Sequence, residues 1–278
     1  MSIRLIAFDL DGTLLDDKKQ ISEENMRALR AADRKGIYLV PCTARLFNTM
    51  PEAVRNLPFV HYAITVNGAE VYDREKEHAV CRAEIPAAEA EVLYDYMDTL
   101  PVVYDCYQEG RGWVDREFYD NAEKYIRDEH TIRLIRKMRS PVDNFRKTMQ
   151  ERNLPIQKTQ MFFDDIELRN QQMEEVRKKF PQYSVTGSLF NNIEINAGDA
   201  NKGGALAALC EYLQIDLSEC MASGDGINDI SMRKMAGVGV AMGNALDIVK
   251  DAADYITETN GESGVAKAID HYIKEGEK

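Results

Sequence analysis

The sequence predicts an α/β protein: a doubly wound parallel sheet into which a second, α+β domain is inserted. Three observations carry this expectation. Short apolar runs without alternation recur near the start of the chain, and each stops at glycine or small polar residues, as strands buried on both faces do. A helical segment separates the first two runs, the strand–helix–strand order of a parallel sheet. The texture changes at about residue 85 and returns near Asn191.

The elements follow in order. Ile3, Leu5, Ile6, Ala7 and Phe8 lead straight into Asp9-Leu10-Asp11-Gly12-Thr13. Residues 22–35 read as a helix, with Ser22 as N-cap and Gly36 as stop. Runs 37–40 and 62–66 are the next strands, ending at Cys42-Thr43-Ala44-Arg45 and at Asn67-Gly68. Residues 71–82 form a charged hairpin with Arg74-Glu75-Lys76-Glu77 at its tip. Pro86 then opens a helix to about Leu100, a position proline tolerates. Residues 102–107 and 112–114 pair as strands; 157–163 and 183–185 are further strands, with a helix over 167–180 between them. Strands and helices are segregated here, so 85–189 is the inserted domain and 1–84 with 190–278 the first. Ile193-Glu194-Ile195 and a helix from Lys202 to Leu213 resume the first domain. A strand over 220–223 ends at Gly224-Asp225-Gly226-Ile227-Asn228-Asp229; strands over 238–242 and 253–257 and a helix from Gly264 close the fold.

Composition narrows the classes. At 278 residues the chain can hold two cores. A formal charge of −12 argues against a general nucleic-acid or anionic-membrane binder. No apolar run approaches a membrane span, and the start lacks the basic and apolar regions of a secretion signal, so a cytoplasmic protein is expected. Five cysteines are scattered without a Cys-x-x-Cys pair, which indicates neither a zinc site nor a disulfide framework.

The chemistry lies where strands end, because parallel sheets place ligands at the carboxyl edge. Asp9 and Asp11 start roughly 7 Å apart, and two such carboxylates repel unless a cation or a shared proton intervenes. Oxygen ligands suit Mg²⁺. Thr43 supplies a hydroxyl. Lys202 opens a helix, where the dipole mildly disfavours a cation unless an anion binds too. The segment 224–229 packs two carboxylates and an amide between glycines that allow close backbone approach. Each has a plainer reading. Asp11-Gly12 and Gly224-Asp225-Gly226 also fit turns, Thr43 fits an N-cap, and Lys202 fits a solvated lysine.

Together and in this order, these segments resemble the haloacid dehalogenase superfamily of phosphotransferases. Within it the chain is similar to the Cof-type sugar-phosphate phosphatases, which have a Rossmann-like core and a large α/β (type IIB) cap between the second and third motifs. Asp9-Leu10-Asp11-Gly12-Thr13 matches the first motif, Thr43 the second, Lys202-Gly203-Gly204 the third and residues 224–229 the fourth. The resemblance implies Mg²⁺-dependent hydrolysis of a small phosphorylated metabolite. Asp9 would be the nucleophile, forming an aspartyl-phosphate, and Asp11 the acid and then the base. Leu10, Gly12, Thr43, Ala44, Lys202 and Asn228 would surround the phosphoryl group. Asp9, Asp11 (through its carbonyl), Asp225 and Asp229 would hold or support the metal. It further implies no nucleic-acid or membrane partner, and a monomer or small homo-oligomer. The family's threonine is followed by glycine and arginine. Ala44 stands at that glycine, where a positive φ would be strained.

The inserted domain is expected to cover the site and exclude water. Its stretch 124–147 holds eight Lys or Arg against three Asp or Glu, either a steering patch or a solvated face. Tyr104, Tyr107, Trp113 and Tyr125 could stack on a sugar or base, or simply pack. Cys42 reads as a small buried residue. Two other functions compete: a phosphomutase of the phosphomannomutase type, and a non-catalytic phosphate-binding module. The intact set Asp9, Asp11, Lys202 and Asp225 argues against the second.

Overall fold

The computed structural model describes residues 2–126, 129–187 and 189–274. The chain forms two compact units: Met1–Arg82 with Asn201–Lys278, and Ala83–Ala200.

The first unit begins with β1 (Leu5–Phe8), all four residues fully buried. A helix over Glu23–Arg34 follows. The Ser22 hydroxyl accepts the Asn25 N–H, and Glu23 and Glu24 at the start and Arg34 at the end complement the helix dipole. Gly36, at φ +75°, turns the chain out of it. Next come β2 (Tyr38–Pro41), β3 (Tyr62–Thr65), β4 (Glu70–Asp73) and β5 (His78–Arg82). The last three form an antiparallel sheet. β3 therefore does not extend the parallel sheet as a full strand. It touches it through one parallel bridge, Cys42 to Ile64.

The second unit is a six-stranded sheet with helices. After a helix over Ala87–Met97 come β6 (Val103–Gln108), β7 (Arg111–Asp115), β8 (Arg139–Val142), β9 (Lys158–Phe162), β10 (Tyr183–Thr186) and β11 (Asn192–Ala197). Their order is β10-β11-β9-β6-β7-β8. β11 corrects the expected boundary. Residues 193–195 belong to this sheet, where β11 pairs antiparallel with both β10 and β9. Its alternation explains why: Asn192, Glu194 and Asn196 line one face and Ile193, Ile195 and Ala197 the other.

The four aromatics flagged in this unit pack against their own neighbours. Tyr104 stacks on Tyr94 at 5.7 Å, Tyr125 meets Phe118 edge-on, Tyr107 lies under Arg139 and Lys158, and Trp113 under Arg111 and Arg152. Much of the basic stretch is paired: Arg136 with Glu123, Arg139 with Asp105, and Arg146 with Glu91, Asp95 and Asp98. Arg127 and Asp128 lie outside the described residues.

The chain returns to the first unit with a helix over Lys202–Leu213, then β12 (Cys220–Gly224), β13 (Val238–Ala241) and β14 (Tyr255–Ile256). The sheet order is β14-β13-β12-β1-β2, parallel throughout. Ile6 and Phe8 pack into one apolar cluster with the helices Glu23–Arg34 and Gly264–Lys274, and Leu5 and Ala7 into another with Lys202–Leu213. Helices thus cover both faces, and the central strands β1 and β12 both end at the same edge.

Candidate active site

That edge gathers four ionisable side chains. Asp9 directly follows β1 and donates its N–H to the Ser223 carbonyl at 3.0 Å. Asp225 and Asp229 follow β12. Lys202 opens its helix, which Asn201 caps by accepting the Gly204 N–H. The Lys202 ammonium, fully buried, donates to Oδ1 of Asp9 and Oδ1 of Asp229, both at 2.6 Å. Asp229 also accepts the Gly226 N–H at 2.8 Å, and Asp225 accepts the Thr13 hydroxyl at 3.0 Å. Backbone shape makes the cluster possible. Gly12 has φ +87°, and a Cβ there would lie 2.3 Å from Oδ2 of Asp225.

Three carboxylates crowd around one ammonium, and the acidities of Asp9 and Asp225 show it. Burial raises Asp9 most; Lys202 opposes this, while Asp229 and Asp225 add to it, leaving Asp9 raised to about 8. Burial, then Asp229, also raises Asp225. Burial alone would depress Lys202, but Asp229 and Asp9 outweigh it and keep the ammonium charged. One oxygen from each of Asp9, Asp225 and Asp229 lies within 4.8 Å of the others. An all-oxygen set with excess negative charge fits Mg²⁺.

Asp11 stands apart. Arg45 forks onto it, Nε to Oδ2 at 2.9 Å and Nη2 to Oδ1 at 3.1 Å, and Lys19 reaches Oδ1 at 2.8 Å. Burial would raise this carboxyl, but the bonds and charge of Arg45, then Lys19, hold it below the usual range. Thr43, on the loop after β2, is buried; its Oγ1 accepts the Arg45 N–H at 3.2 Å. Ala44 does not take a positive φ, so the loop carries no strain there. The Leu10 side chain is buried in the core. Asn228 donates to Oδ1 of Asn67 at 3.1 Å.

Sequence reasoning did not foresee the Lys19 contact, the Arg45 fork, the Thr13 bond to Asp225 or the Asn67–Asn228 pair. Thr13 and Arg45 sit within matched motifs, so motif context could have flagged them. Lys19 carried no signal.

The family model of haloacid dehalogenase-like hydrolases matches residues 6–269. The 5-amino-6-(5-phospho-D-ribitylamino)uracil phosphatase YcsE of Bacillus subtilis is 37% identical over 98% of this chain and 97% of its own length. A haloacid dehalogenase-like hydrolase from Bacteroides thetaiotaomicron shares the fold with a TM-score of 0.82 and 30% identity, over 97% of this chain and 99% of that one. The HAD subclass IIB sugar phosphatase BT4131 shares it with a TM-score of 0.79 and 24% identity, over 97% and 98%. The chain belongs to the haloacid dehalogenase-like hydrolases and is an enzyme of their phosphatase type.

Proposed function

We propose that the protein hydrolyses small phosphomonoesters, sugar phosphates or related metabolites, through an aspartyl-phosphate on Asp9 with Mg²⁺ as cofactor. The observation that carries this reading is the buried Asp9 carboxylate, bonded to Lys202 and flanked by Asp225 and Asp229 at the carboxyl edge of the sheet. A carboxylate attacks a phosphate dianion only where charge is neutralised. Lys202 supplies one positive charge at the attacking oxygen. Asp9, Asp225, the Asp11 carbonyl and, in support, Asp229 would hold Mg²⁺, which when bound withdraws charge from the transferring oxygens.

Asp9 attacks phosphorus, and the bond to the leaving oxygen breaks as that oxygen takes a proton from Asp11, which gains that proton from solvent or substrate once it leaves the Arg45 and Lys19 contacts that otherwise keep it ionised. Asp11 then takes a proton from the water that cleaves the acyl phosphate. Thr43, the backbone N–H groups of Leu10, Gly12 and Ala44, and Asn228 orient the phosphoryl group. The relative YcsE is named for a phosphorylated ribityl substrate, which supports a polyol or sugar phosphate here. Five free cysteines suit a reducing cytoplasm. The test is phosphate release from a panel of sugar and nucleotide phosphates, with Mg²⁺ and with chelator. Release that depends on metal and vanishes in Asp9→Asn is expected; release that ignores both defeats the reading.

A further inference from the structure

The helix Lys202–Leu213 ends beside the start of β12, and a cysteine stands at each place. Cys210 lies in the last helical turn and Cys220 is the first residue of the strand. Their sulfurs are 3.3 Å apart, joined by a thiol hydrogen bond. The connection between them is short and tied down. Gln214, at φ +54°, ends the helix with its N–H on the Cys210 and Glu211 carbonyls. The Ile215 N–H donates to the Cys210 carbonyl at 2.9 Å. Asp216 accepts the Ser218 N–H at 2.8 Å, and the Asp216 carbonyl lies 3.6 Å from the Cys220 sulfur.

The other cysteines are placed differently. Cys42 donates to the Val40 carbonyl, Cys106 to the sulfur of Met149, and Cys81 is half-buried. Among the described residues, Cys210 and Cys220 alone bring sulfur to sulfur. Both are buried, but they lie beneath a connection whose Glu211, Tyr212, Gln214, Asp216 and Ser218 are exposed. A terminal helical turn opens locally more readily than a core, which admits a small oxidant. The bond from Cys220 holds the Cys210 thiol below its ordinary range, against burial, and the thiolate is the attacking form.

We propose that Cys210 and Cys220 form an oxidation site, at which a hydroperoxide converts two thiols into a reversible disulfide that clasps the helix Lys202–Leu213 to β12. The Cys210 thiolate attacks one peroxide oxygen, the O–O bond breaks, and the other oxygen leaves with the thiol's proton. The product is a sulfenic acid. The Cys220 sulfur then attacks that sulfur; the S–S bond forms, and the hydroxyl leaves with the Cys220 proton as water. The two thiols lose two electrons, and hydrogen peroxide becomes two waters. Closing the gap to a bond of about 2.05 Å moves the sulfurs together by about 1.3 Å, within the reach of two side chains. The clasp lies about 12 Å along the helix from Lys202, so it braces the elements that carry the site without entering it.

The experiment treats the reduced full chain with hydrogen peroxide and maps its cysteines by mass spectrometry without reduction. A cross-link between Cys210 and Cys220, with the loss of two hydrogens and recovery in dithiothreitol, is expected. The oxidised protein should melt about 5 °C higher, with turnover within about twofold of the reduced form, since the sites are distant. Cys210→Ala and Cys220→Ala should each abolish the cross-link and the shift. Oxidation of half-buried Cys81 while Cys210 and Cys220 stay thiols would overturn the proposal. So would a Cys210 carried to sulfinic acid without a cross-link. A cross-link that lowers the melting temperature or abolishes turnover would overturn the role as a clasp.

Discussion

Each unit buries a group of charges, and the two groups are put together differently. In the second unit Arg139 pairs with Asp105 at 3.0 Å and Lys158 with Glu194 at 2.8 Å, every side chain nearly inaccessible. Gln160 donates to both oxygens of Asp105. Two acids meet two bases. In the first unit, among the described residues, Lys202 is the one cation bonded to the Asp9, Asp225 and Asp229 cluster, through Asp9 and Asp229, while the buried Arg233 acts on Asp229 by charge without a bond. A balanced buried network is complete in itself and holds a sheet together. An unbalanced one drives its own carboxyls towards protonation, as at Asp9 and Asp225, and invites a cation. Chemistry is found where the charge does not cancel.

Four experiments would break or sharpen that contrast. The largest effect is expected from Asp9→Asn, with turnover falling on the order of 10⁴-fold or more. Its melting temperature should not fall, since one repelling charge leaves an over-acidic cluster. A clear drop in melting temperature would show that the cluster is structural after all.

Arg139→Met leaves Asp105 buried without its cation and should lower unfolding stability by about 3–5 kcal/mol in urea titrations. Adding Asp105→Leu should recover most of the loss. A single variant no weaker than Arg4→Met, which breaks an exposed pair, would contradict the picture of a self-contained network.

Magnesium at about a hundred times its dissociation constant should stabilise the protein by ~2.7 kcal/mol, read as a chelator-reversible rise in melting temperature. Asp225→Asn should blunt that rise, while the Arg139 variant should keep it. A melting curve indifferent to magnesium would remove the cation from the site.

Gly12→Ala is expected to cost about 1–3 kcal/mol for the positive φ. It should also shrink the magnesium-dependent shift, because its Cβ would displace the Asp225 carboxylate. A full shift would mean that Asp225 is not a ligand.

The carboxylate cluster was legible because each of its residues is tied to a strand end or a helix start, which apolar runs and glycines mark plainly. Asp9 needs only β1 to be recognised. What stayed hidden depends on pairing. β8, with the sequence Arg-Ser-Pro-Val, does not read as a strand, since Pro141 lacks a donor. It is tolerated because β8 lies at the sheet edge. The reading of β11 as part of the first domain overlooked a signal that was present: strict polar–apolar alternation from Asn192 to Ala197, which suits an antiparallel sheet better than a parallel strand buried in apolar surroundings. The Lys19–Asp11 contact follows from a local turn and leaves no periodic trace.

The split of the first unit sets an order of assembly. β1 is made early, yet Leu5 lies beside Cys220 in β12, and the whole of Ala83–Ala200 is synthesised between them. That intervening segment is unbroken and is complete while β1 has only β2 beside it and still lacks β12 on its other edge. Pairings so distant in sequence close slowly and late. The strand that delivers Asp9 therefore waits for Lys202, Asp225 and Asp229, and a nascent chain released before β12 holds none of the assembled chemistry.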